Sequence, residues 1–206
     1  YQMGNGVPGV IYVVGHFGNW EMALNYGSYY LDLGVSVKKQ SNRFIDKLVY
    51  KLRSDAGASL YYLDESDKLL RHVKRGGCLA LAADQNARGH GIFVNFLGAP
   101  ASTFQGPAIL AYATKAPLFI AHTVFRGKGV YKVYMKQLVD QVRKEDYNSR
   151  QEAIRDLTQR WVGALEQAVL QEPEQYFWLH RRWRTQPRED KEVLEAKYPR
   201  DLISLQ

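Results

Sequence analysis

Residues 9–15, Gly-Val-Ile-Tyr-Val-Val-Gly, form an apolar, β-branched run closed by glycine, the pattern of a buried strand. A helix is predicted over about 19–31, ended by Gly34, and a second short strand over 35–37. Phe44, Ile45, Leu48, Val49 and Leu52 recur at amphipathic helical spacing, with Asp46 and Lys47 on the wet face. A short helix follows over 66–75, stopped by Gly76-Gly77, and then a strand over 78–83. Residues 87–106 hold Gly89, Gly91, Gly98, Pro100 and Gly106 and predict a long loop, a length that usually serves a function. Beyond it come a proline-started helix over 107–114 and strands over 118–124 and 130–135, the two strands parted by Arg126-Gly-Lys-Gly129. Ile154, Leu157, Trp161, Leu165 and Val169 mark a long amphipathic helix over 149–171. This alternation predicts a single-domain α/β layered fold over residues 1–206, with a mostly parallel central sheet flanked by helices and a loosely organised tail over 188–206.

Charge changes the picture more than composition does. The formal net charge of +7 and pI near 9.4 favour an anionic partner: nucleic acid, an acidic carrier protein or lipid phosphates. No stretch approaches the roughly 18 apolar residues of a membrane span. The start has no signal-peptide layout and no initiator methionine, so a fragment whose N-terminal membrane anchor has been removed is expected. The single cysteine, Cys78, lies in a predicted buried strand and reads as a small hydrophobe rather than a nucleophile.

Chemistry concentrates in Gly15-His16-Phe17-Gly18-Asn19-Trp20-Glu21, where the first strand becomes a helix. Ligands of open α/β sheets bind at the carboxyl ends of strands. A carboxylate on one imidazole nitrogen would leave the other free to take a proton from a hydroxyl, and Glu21, one turn into the helix, is the expected partner of His16. The plainer alternative is a capping histidine and a solvated glutamate.

His16-Phe-Gly-Asn-Trp-Glu21 resembles the first motif, His-x4-Asp/Glu, of the lipid A biosynthesis (late) acyltransferases, in the lysophospholipid acyltransferase-like superfamily. Further blocks follow in the family's order. Lys38-Lys-Gln-Ser-Asn42 through Arg53 is similar to the second, and Ala83-Asp84-Gln85 with 93–103 and Gly106-Pro-Ala to the third. Residues 118–126 resemble a strand ending in arginine, and residues 173–183 the closing signature, so the likeness runs from about 9 to about 187. It implies a glycerolipid acyltransferase-like fold and transfer of a fatty acyl group from an acyl thioester, on acyl carrier protein or coenzyme A, to a hydroxyl of a lipid A precursor. His16 and Glu21 would be catalytic, His16 as general base. Asn19, Lys38, Asn42, Arg43, Arg53, Asp84, Gln85, Thr103 and Arg126 would bind substrate. No cofactor and no metal is implied. The location implied is the cytoplasmic face of the bacterial inner membrane, against an anionic surface and without nucleic acid. Related enzymes acylate phosphatidylinositol mannosides or ornithine lipids, which remain alternative acceptors.

Several side chains stay open to two readings. Asp84 closes a predicted strand and would emerge near His16 if the two strands are neighbours, or else cap a turn. Gln85 could donate to substrate or to loop backbone. Lys38, Arg43, Arg53 and Arg126 could bind anions or simply be solvated. Phe93, Phe96, Leu97 and Phe104 could line an acyl slot or pin a loop. In Trp178-Leu-His-Arg-Arg-Trp183-Arg184, aromatics alternate with cations, suiting a membrane interface or nucleic-acid bases, while Trp178 is expected to pack into the core. From another class, a non-catalytic basic binding module is the alternative. An esterase lacks its Gly-x-Ser-x-Gly.

Overall fold

A computed structural model describes residues 9–188, so nearly all of the tail expected over 188–206, and residues 1–8, lie outside the described residues. Five parallel strands and one antiparallel strand form a sheet in the order β3-β2-β4-β1-β7-β8. In chain order these are β1 (Ile11–Val14), β2 (Leu33–Val37), β3 (Ser59–Tyr62), β4 (Cys78–Ala82), β7 (Leu118–Phe125) and β8 (Tyr131–Val139), with a separate hairpin of β5 (Ile92–Phe96) and β6 (Ala99–Thr103). The helices are α1 (Trp20–Ser28), α2 (Arg43–Asp55), α3 (Ser66–Lys74), α4 (Gly106–Thr114) and α5 (Arg150–Gln171). The layered α/β fold with a mostly parallel sheet is therefore the one the sequence predicts. Among the described residues, no helix is long and apolar enough to cross a membrane.

Period-2 alternation sorts the central strand between two cores. Ile11 and Val13 join the larger one with α3, α4 and α5, where Ile154, Leu157, Trp161, Leu165 and Val169 are all buried. Val14, with Tyr12 packed beside it, faces the smaller core under Trp20 and Leu24 of α1. Cys78 is buried there too, and burial pushes its thiol pKa up.

Two elements depart from the sequence reading. Strand β3 was not predicted; four residues at the sheet edge, all half-buried, carry no clear alternation. The expected loop over 87–106 instead contains the hairpin, turned by Leu97 and Gly98 at φ 53° and 73°. Two successive residues with positive φ make the tight primed turn that matches strand twist. Phe96 is fully buried, stacked on Trp183 at 5.5 Å and edge-on to Tyr176 at 6.0 Å, so it fastens the hairpin to the core. Of the two readings of this segment, Phe96 thus takes the pinning one.

Candidate active site

Strands β1 and β4 are parallel neighbours with Val14 opposite Ala82, so the residues two positions beyond each, His16 and Asp84, leave the sheet side by side. Asp84 is 1% exposed. Its Oδ1 lies 2.6 Å from His16 Nδ1, and its Oδ2 accepts the His16 backbone N–H at 2.8 Å. One carboxylate therefore fixes both the ring and the backbone of His16. With Nδ1 as the donor to Asp84, Nε2 is the basic nitrogen, and no side chain among the described residues hydrogen-bonds it. The ring keeps a 19% exposed side chain, flanked by Trp20 at 4.9 Å and Phe177 at 6.3 Å.

Glu21, the partner that the sequence spacing predicts for His16, does not hold the imidazole. Asn19 caps α1 by accepting the Met22 N–H at 3.0 Å, which places Glu21 in the first turn, and there the guanidinium fork of Arg53 takes both of its oxygens. One of these bonds is Arg53 Nε to Glu21 Oε2 at 3.0 Å. A planar fork on a carboxylate is a strong, geometrically specific pairing. Glu21 still acts on His16 through its charge. Burial alone would lower the imidazole pKa, but the hydrogen bond and charge of Asp84, with Glu21 added, raise it above the ordinary 6.5.

The other expected site residues divide by location. Arg126 follows β7 and is held by Glu172 at 2.5 Å and the Tyr134 hydroxyl at 3.0 Å. Asn42 caps α2, accepting the N–H groups of Phe44 at 2.9 Å and Ile45 at 3.3 Å. Lys38 and Arg43 are exposed beside that cap, and Gln85 is half-buried next to Asp84. Thr103 is fully buried; its hydroxyl donates to the Ala101 carbonyl at 2.8 Å and accepts from Arg182, so it braces the hairpin from inside.

The sequence reading missed what the closing segment does. Gly18 N–H donates to the Gln175 carbonyl at 2.9 Å and Phe177 N–H to the His16 carbonyl at 3.0 Å, so residues 175–177 clamp the His16 turn strand-fashion. Tyr176 sets its hydroxyl against Asp84; burial first, then the Asp84 charge, pushes its pKa well above the tyrosine range. His180 Nε2 accepts the Asn86 N–H at 2.8 Å, and burial lowers the pKa of this ring. Arg182, 3% exposed, donates to the Ser102 carbonyl at 2.6 Å and lies 5.5 Å over the Phe96 ring. One stretch of chain thus ties the His16 turn, the Asp84 loop and the hairpin together. Trp178, expected in the core, is 46% exposed, and Trp183 takes that place against Phe96. The alternation of aromatics and cations hid this, because Arg182 is buried where Arg181 and Arg184 stay exposed.

Beside this centre, a cleft of about 710 Å³ is bordered by Gly18, Asn19, Trp20 and Glu21 on one side and by Phe125, Tyr131, Glu174 and Gln175 on the other. It is large enough for a ligand of some size. No three His, Cys, Asp or Glu side chains converge as a metal would require among the described residues. A strand-end imidazole with one nitrogen held and the other basic can take a proton from a hydroxyl and return it to a leaving group.

The raised His16 pKa fixes a sign. A base works only when neutral, so its reaction should quicken with pH through an apparent pKa above 6.5, and Asp84→Asn should move that midpoint below 6.5 because burial, the largest influence on the ring, is then opposed only by the lesser charge of Glu21. The dyad's contribution to stability runs the other way. It is fully present below about 6.5 and fades as pH rises through the raised folded-state value. Urea melts across pH should therefore show the gap between wild type and Asp84→Asn narrowing toward alkaline pH.

The chain is 28% identical over 133 residues to the phosphatidylinositol mannoside acyltransferase of Mycobacterium tuberculosis (strain CDC 1551 / Oshkosh), covering 59% of this chain and 40% of that protein. The chain thus matches about two fifths of the length of that relative. The pattern of the family described as bacterial lipid A biosynthesis acyltransferase matches residues 2–185, nearly the whole chain, including the His16 turn, the Asp84 loop and the closing clamp. The chain belongs to the bacterial lipid A biosynthesis acyltransferase family.

Proposed function

We propose that the chain moves a fatty acyl group from an acyl thioester on acyl carrier protein to a hydroxyl of a lipid A precursor, at the cytoplasmic face of a bacterial inner membrane. The observation that carries this is the 2.6 Å contact of His16 Nδ1 with buried Asp84 at two adjoining strand ends. His16 Nε2 accepts the proton of the acceptor hydroxyl as its oxygen attacks the thioester carbonyl. The tetrahedral oxyanion collapses with cleavage of the C–S bond, and the imidazolium gives its proton to the departing thiolate. Asp84 keeps the ring in the tautomer this requires and stabilises the imidazolium. Glu21 and Arg53 shape the adjoining wall as a pair, and Arg126, with Lys38 and Arg43, supplies positive charge for acceptor phosphates.

A second acceptor, a phosphatidylinositol mannoside, is favoured by the likeness to the mycobacterial phosphatidylinositol mannoside acyltransferase. Full-length enzyme given acyl carrier protein and coenzyme A thioesters, with a lipid A precursor or a phosphatidylinositol mannoside, separates the two by the acylated lipid that mass spectrometry finds. Product on the mannoside alone would replace the first acceptor with the second. Thioester loss to water with no lipid acylated would end the transfer reading itself.

A further inference from the structure

Helix α2 is amphipathic in the reverse sense for a helix on a water-soluble body. None of its residues is buried. The side turned to the protein is mostly polar: beside half-buried Val49, Arg53 grips Glu21, Asp46 accepts from the Gln40 N–H at 2.7 Å and the Tyr62 hydroxyl at 3.3 Å, and Tyr50 stacks on Tyr62 at 6.1 Å. The side turned outward carries Phe44, Ile45, Leu48 and Leu52, exposed by 85%, 48%, 54% and 58%. A helix packed on a globular core shows the opposite arrangement. Alongside the apolar arc, Arg43, Lys47 and Lys51 repeat every fourth residue, and Lys38 and Lys39 stand exposed just ahead of the helix.

We infer that α2 lies in the interface of an anionic lipid membrane, its Phe44–Leu48–Leu52 stripe in the headgroup–acyl boundary and its cation row against lipid phosphates. Apolar residues flanked by lysine and arginine are what such a surface binds. Charge argues against a second copy of the chain. A two-fold contact would set the cation row against itself, and like charges across an interface repel. The inference rests on the acyltransferase reading for its purpose and deepens it: Arg53 joins α2 to Glu21, so the depth of the helix sets the height of the catalytic edge, and a lipid acceptor reaches His16 without leaving the interface.

Vesicle binding tests the surface without any acyl donor. Full-chain protein should float with vesicles of phosphatidylglycerol mixed into phosphatidylcholine and much less with phosphatidylcholine alone. Leu48→Ser/Leu52→Ser and, separately, Lys47→Glu/Lys51→Glu should each weaken flotation by about tenfold or more, with circular dichroism and melting retained. The indole introduced by Phe44→Trp should be quenched by acrylamide in solution and become protected and blue-shifted on vesicles. Unchanged flotation of both double variants would overturn the inference. So would an indole already protected without vesicles, or a dimer that Leu48→Ser/Leu52→Ser splits, since a second copy or another part of the protein would then cover the helix. Transfer is read separately. Leu48→Ser/Leu52→Ser should lose acylation of vesicle-borne acceptor and keep that of a short-chain, water-soluble one, whereas absence of transfer in wild type, with binding intact, would strike only the enzymatic reading.

Discussion

Asp84→Asn is expected to lower acyl transfer by about 10³- to 10⁴-fold with the fold retained, close to the effect of His16→Gln. The reason is the tautomer. Asp84 accepts from His16 Nδ1 at 2.6 Å and from the His16 backbone at 2.8 Å. An asparagine can keep the backbone bond with its oxygen, but its amide then donates toward Nδ1, which moves the ring proton to Nε2 and leaves no lone pair for the acceptor hydroxyl. Glu21→Gln should cost less, about 10- to 100-fold, through a displaced Arg53 and a shifted α1 start rather than loss of the base. Initial rates for the three variants, beside their melting curves, decide between the carboxylates. If Asp84→Asn stays within tenfold of wild type while Glu21→Gln loses three orders of magnitude, the partnership assigned here is wrong.

That contrast marks where the sequence stops being legible. His16 at a strand end follows from the apolar run before it and the glycine after it, both local signals. Asp84 is visible as the end of a second apolar run, yet its meeting with His16 depends on β4 standing next to β1, a pairing between segments 68 residues apart. Glu21, five residues from His16, drew the role because sequence proximity is the only geometry a single chain displays before its strands are ordered. The same limit hides Tyr176, which comes to Asp84 from 92 positions away. The hairpin was hidden for a different reason. Ile92, Val94 and Phe96 do alternate, and Leu97-Gly98 is a two-residue turn, but the surrounding glycines read as loop. In α2 the helical period was plain, but the side it turns to the protein was not: periodicity locates an apolar stripe and does not say whether protein or lipid covers it.

Gly18→Ala is expected to destabilise the protein by about 3 kcal/mol or more, through two costs at one atom. Gly18 has φ +54°, in the left-handed region, and a Cβ there would lie 2.1 Å from the Thr123 carbonyl oxygen. The left-handed conformation itself costs a side-chain-bearing residue about 1–2 kcal/mol. The clash adds to it because Thr123 is backbone inside β7, held by its pairing opposite Val133 of β8, and has no rotamer to turn away. Relief must come from the turn, which carries the Gly18–Gln175 and Phe177–His16 bonds with it. For a domain of this size the melting temperature should fall by about 6–12 °C. Transfer by the surviving folded fraction should drop about 100-fold, as expected when a reacting group moves by about 1 Å. Gly15→Ala is the control in the same turn: its Cβ would meet the Leu165 Cδ1 at 2.8 Å, the end of a side chain that can rotate, so a smaller loss is expected. A Gly18→Ala protein that melts and turns over like wild type would mean the His16 turn does not run against the Thr123 carbonyl of β7, and the Asp84 pairing would lose the frame that positions it.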